Sequence, residues 1–104
     1  MPVYKASLRS DLVPFTVADN PAESRYELHD DDRLIGVAAY RLSGDTITFT
    51  HTQVDPEYEG QGAGSQLARE ALDDSRARER QVVVHCPFIS AWIRRHPDYA
   101  DLLR

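Results

Sequence analysis

The chain has 104 residues, 41% of them hydrophobic, and twelve Lys plus Arg against seventeen Asp plus Glu give it a formal charge of −5. That length fits one domain with one ordinary core, expected to span residues 1–104, and the acidic balance disfavours nonspecific attraction to nucleic acid or an anionic membrane. The lone Cys86 cannot form an internal disulfide, the apolar runs are too short to cross a bilayer, and Met1-Pro2-Val3-Tyr4-Lys5 lacks a signal-peptide pattern, so the expected location is the cytoplasm.

A loose amino-terminal segment precedes Phe15-Thr16-Val17, a short strand candidate that stops at Asp19-Asn20-Pro21. Arg25 to His29 alternates Tyr26 and Leu28 with polar residues, Asp30-Asp31-Asp32 supplies a turn, and Leu34 to Leu42 completes a hairpin. Ser43-Gly44-Asp45 reverses the chain into the threonine-rich run Thr46 to Val54, whose alternation is expected to put Ile47, Phe49 and His51 on one face. These readings give three neighbouring antiparallel strands.

After Asp55-Pro56 the period changes. Leu67, Ala68, Ala71 and Leu72 form an apolar stripe with Arg69, Glu70, Asp73 and Asp74 outside it, which predicts a surface helix from Gly64 to about Arg80. Val82-Val83-Val84 reads as a strand covered on both faces, and the strand-helix-strand succession makes it parallel to its neighbour. Pro87 opens a second helix carrying Phe88, Ile89, Trp92 and Ile93 as its core stripe, ending before His96-Pro97. The tail can add one turn and dock Tyr99, Leu102 and Leu103. The fold class is therefore α/β (α+β), a mixed and mostly antiparallel sheet with a long helix after the glycine turn and a helical carboxyl end.

Gly60, Gly62 and Gly64 alternate through the strand-to-helix turn Glu59-Gly60-Gln61-Gly62-Ala63-Gly64. Missing side chains let backbone approach a ligand, and unpaired N–H groups with the positive end of the helix dipole favour an anion such as pyrophosphate. The spacing is not the G-x-G-x-x-G of a dinucleotide fold, and no Gly-Lys-Ser/Thr follows as a nucleoside-triphosphate loop requires.

Three segments carry a resemblance: Ile47 to Pro56, Tyr58-Glu59-Gly60-Gln61-Gly62-Ala63-Gly64-Ser65-Gln66-Leu67, and His85-Cys86-Pro87-Phe88 leading to Trp92-Ile93 and His96-Pro97-Asp98-Tyr99. Together they resemble the GNAT superfamily of N-acetyltransferases, in particular its compact single-domain subgroup, over about Arg25 to Leu103. The resemblance implies a curved sheet in which the strand ending at Val54 splays from its parallel neighbour. It also implies that the gap admits the pantetheine arm of acetyl-CoA beside Val54, and that Gln61, Gly62, Ala63, Gly64 and Ser65 bind the pyrophosphate. The family usually has Arg or Gln where this chain has Glu59, a carboxylate that repels phosphate.

Acyl transfer to an amine needs a neutral amine, a polarised thioester and a proton route. His51 and Cys86 are the titratable groups expected to flank the gap, and the resemblance makes them a candidate catalytic pair. The expected activity is acetyl-CoA-dependent N-acetylation of a protein lysine, an amino terminus or a small amine. In the preferred route the amine attacks directly and His51 accepts the proton; an acetyl-Cys86 intermediate is the rival. Simpler roles exist for both, Cys86 as a small buried hydrophobe and His51 as a hydrogen-bonded strand residue.

His29, His85 and His96 match no zinc spacing, so no metal is expected. Arg94 and Arg95 read as a solvated face with a lesser role toward a CoA phosphate, and Trp92 reads as core. The extra carboxyl-terminal strands that build an acceptor pocket in larger GNAT members are not expected here, and an open cleft is expected in their place. A noncatalytic CoA-binding or protein-interaction module with the same fold is the alternative, and a nucleotide-binding module a second one.

Overall fold

The computed structural model describes residues 15–104, and the loose segment expected before Phe15 lies outside them. Five strands follow one another in the order β1 (Thr16–Asn20), β2 (Arg25–Asp30), β3 (Arg33–Ser43), β4 (Thr46–Val54) and β5 (Gln81–Val84). The first four pair antiparallel, and β5 runs parallel to β4. Helix α1 (Ala63–Ala77) carries the chain from β4 to β5, as a parallel crossover requires, and α2 (Pro87–Arg95) follows β5.

The core forms where α1 covers one face of the sheet. Leu67, Ala68, Ala71 and Leu72 are buried against Tyr26, Leu28, Ala38, Tyr40, Ile47 and Phe49, which project alternately from β2, β3 and β4. Helix α1 ends three residues earlier than expected, because the chain turns at Arg78 and Glu79 adopts a left-handed φ of 56°. Strand β5 is an outer strand, with Val82 buried and Val83 and Val84 half-buried, rather than a strand covered on both faces. A 3-10 segment, Pro97–Leu102, buries Tyr99 and Leu102. Leu103 leaves its side chain exposed and uses its backbone to bridge Val82.

One irregularity decides the site. Ala39 pairs with His51 and Tyr40 with Phe49, so Thr50 has no partner on β3 and forms a β-bulge. The extra residue inverts the alternation of side chains beyond it. Ile47 and Phe49 face α1, His51 and Gln53 turn to the other face and are exposed, and Thr52 and Val54 return to the helix side. The expected common face of Ile47, Phe49 and His51 is thereby corrected: His51 stands opposite the two core residues.

Candidate functional site

Strands β4 and β5 pair from Thr46 and Gln81 to Phe49 and Val84, and one further bond runs from the His85 N–H to the Phe49 carbonyl at 2.9 Å. Beyond it β4 continues for five residues, still paired with β3, while the other chain turns away through Cys86 into α2. Proline at the first position of α2 fixes that departure, since it carries no N–H to extend a ladder. The two strands therefore diverge, as the family resemblance implied.

A cleft of about 430 Å³ begins at this divergence, with Thr52 and Val54 on one wall and Phe88, Trp92 and Arg95 of α2 on another. Its remaining wall is the glycine turn, through Gly60, Gly62, Ala63, Gly64 and Ser65. Gly60 and Gly62 have φ of 81° and 79°, left-handed values that glycine adopts without strain. The first α-helical bond closes from the Gln66 N–H to the Gly62 carbonyl, and no side chain among the described residues caps the helix. Among the described residues no acceptor meets the N–H groups of Gly62, Ala63, Gly64 or Ser65. They form a cradle for an anion at the positive end of α1.

Gln61 lies just outside this cradle: its N–H is bonded to the Tyr58 carbonyl, and its exposed side chain donates to the Glu57 carbonyl. Glu59 borders the cleft and is exposed. The approach to the turn is held rigidly. Asp55 accepts from the Glu57 N–H to cap the 3-10 segment Pro56–Tyr58, and Arg33 bonds to both Asp55 and Glu57. The Tyr58 hydroxyl donates to Asp30 at 2.7 Å, a bond that raises its pKa above the ordinary tyrosine value, and Arg33 lies over its ring.

Helix α2 is tied to the same turn. The Trp92 indole N–H donates to the Ser65 hydroxyl at 2.8 Å, and the Trp92 ring stacks on His96 with centroids 3.8 Å apart. Trp92 is buried, as its helical spacing predicts. Phe88, expected in the same core stripe, is instead 39% exposed and lies across Gly64 at the cleft. Arg95, read as part of a solvated face, brings a cation to the cleft wall. Neither could be found from periodicity, because both depend on where α2 crosses α1.

Cys86 is buried with 2% exposure, and its sulfur lies 3.2 Å from the Thr52 hydroxyl. The partner of Cys86 across the gap is thus Thr52 and not His51. His51 lies on β4 beyond its pairing with β5, on the face turned away from α1, with its side chain exposed. The phase break was present in the sequence: Ile47 and Phe49 occupy odd positions and Val54 an even one, so no single alternation buries all three.

Among the described residues no helix is long and apolar enough to cross a membrane, and no cluster of three or more His, Cys, Asp or Glu could hold a metal ion.

The fold has a counterpart among solved structures. The solution structure of a candidate GCN5-like N-acetyltransferase from Staphylococcus aureus superposes with a TM-score of 0.67, covering 86% of this chain and 87% of that one at 22% sequence identity. No curated protein matches the sequence significantly. The family model described as GCN5-related N-acetyl-transferase matches residues 25–102, from the first residue of β2 to the end of the last 3-10 segment, and takes in the bulged strand, the glycine turn and Cys86. The chain belongs to the GCN5-related N-acetyltransferase family.

Proposed function

We propose that this protein moves an acetyl group from acetyl-CoA to an amine. The observation that carries this reading is the placement of acceptor-free N–H groups at Gly62 to Ser65 on the wall of a cleft that begins where β4 and β5 part. A diphosphate on those amides, with Arg95 beside it, leaves the pantetheine arm to follow the free edge of β4 past Val54 toward Thr52.

The amine nitrogen attacks the thioester carbonyl, a C–N bond forms, the C–S bond breaks, and CoA leaves as its thiolate, which regains a proton afterwards. The amine must lose a proton in the process. His51, exposed on the face turned away from α1, is available to accept it from an acceptor that approaches from that side, while Thr52 and Cys86 line the donor side. Consecutive residues of one strand then serve opposite faces of the reaction. The bulge supports this division, because without it His51 and Thr52 would exchange faces.

A noncatalytic CoA-binding role has one observation in its favour, the Glu59 carboxylate at the mouth of a site meant for phosphate. Calorimetry with acetyl-CoA, followed by thiol release over a panel of amines and lysine peptides, separates the two. Acetyl-CoA binding with thiol release in the presence of one acceptor class supports the enzyme. Binding without release over the whole panel supports the module, and absence of binding overturns both.

A further inference from the structure

We propose that Thr52 and Cys86 together form a stop that limits the acyl group in the cleft to two carbons. This rests on the acyl-CoA reading above and adds to it the determinant of donor specificity. Thr52 is the cleft residue farthest along β4 from the glycine turn, and Cys86 stands directly behind it, its sulfur 3.2 Å from the Thr52 hydroxyl. Among the described residues, the core lies beyond. The cross-strand neighbour of Thr52 is Ala38, buried in the core with Phe49, and Cys86 itself belongs to that core.

A thioester delivered from the amides of Gly62 to Ser65 along β4 reaches this wall acyl end first. A methyl group can rest against the Thr52 and Cys86 side chains. Each further methylene must displace a buried sulfur or push into close-packed Ala38 and Phe49, where interiors give way poorly. The bulge at Thr50 makes the stop possible, since it turns Thr52 and not His51 toward Cys86.

The test is calorimetric titration of CoA, acetyl-CoA and butyryl-CoA into the wild-type protein, Thr52→Ala and Cys86→Ala. Wild type is expected to bind butyryl-CoA at least about tenfold more weakly than acetyl-CoA, the scale of methylene discrimination in a closed pocket. Either substitution is expected to narrow that ratio by about threefold or more, with the affinity for CoA itself measured as the reference for each variant. Thr52 is only half-buried, so Thr52→Ala carries the test if Cys86→Ala does not fold. Equal wild-type affinity for the two acyl donors, or an unchanged ratio in the variants that fold, overturns the stop while leaving the CoA site intact. Failure of all three ligands to bind wild type overturns the acyl-CoA reading and the stop with it.

Discussion

A β-carbon added to Gly64 would lie 2.8 Å from Cζ of Phe88, so the first turn of α1 and the first turn of α2 meet at a position only glycine can occupy without a shift. The ring is partly exposed and can swing outward, which places the consequence in the cleft more than in the core. We predict that Gly64→Ala lowers stability by about 1 kcal/mol, the low end for overpacking, and weakens acetyl-CoA binding as the ring moves across the cleft. Adding Phe88→Ala to Gly64→Ala restores the stability. Denaturant midpoints and calorimetry on the single and double variants check both parts.

Glu59 borders the site of an expected diphosphate. Its replacement by Gln removes a like charge from an exposed position, where such interactions amount to roughly 0.5–1 kcal/mol. Glu59→Gln is therefore expected to tighten acetyl-CoA binding about two- to fivefold, with the gain shrinking as salt is raised. A gain that is the same at low and high ionic strength would assign the effect to something other than charge.

His51 and Cys86 make separable predictions. As general base, His51 supports a rate factor of about 10² to 10⁴, so His51→Ala is expected to lower kcat by that range and to change the shape of the pH profile. Thr52→Ala does not share the change in shape. Direct attack by the amine also predicts that intact-mass measurement after acetyl-CoA treatment finds no stable acetyl group on Cys86. An adduct that disappears in Cys86→Ala would establish the covalent route.

How much of this was legible beforehand follows from the range of the interactions involved. The strands, α1 and the glycine turn are written in local alternation and turn chemistry, and the match of segments from Ile47 to Tyr99 identified the family. The bulge at Thr50 was not read, because Thr48, Thr50 and Thr52 suit either face of a strand. Only the misplaced parity of Val54 marked the change of phase. Arg95 and Phe88 joined the cleft through the crossing of two helices, a distance relation that helical spacing does not encode. Trp92 was recognised as core, while its bond to Ser65 required knowing that α2 returns to the start of α1.

Tyr40 links the sheet to alkaline stability. Burial, aided by the hydrogen bond its hydroxyl donates to Asp19 at 2.6 Å, raises its pKa from 10.0 to about 12. Tyr26, buried and bonded to Asp74, is also raised. The folded state holds these protons more tightly than the unfolded chain. The contribution of Tyr40, on the order of 2 kcal/mol, is fully present below about pH 10 and is lost as pH rises through about 12. Urea unfolding at stepped pH is expected to show a falling stability above pH 10, with a shallower fall in Tyr40→Phe.

The most direct test of the account is titration of acetyl-CoA into the labelled protein while backbone amide resonances are followed. The account predicts saturable shifts concentrated at Gly62 to Ser65 and at Thr52 to Val54, with smaller changes at Phe88 and Arg95. Shifts absent from the glycine turn, or the same response to acetyl-CoA and to ATP with none to free pantetheine, would contradict it.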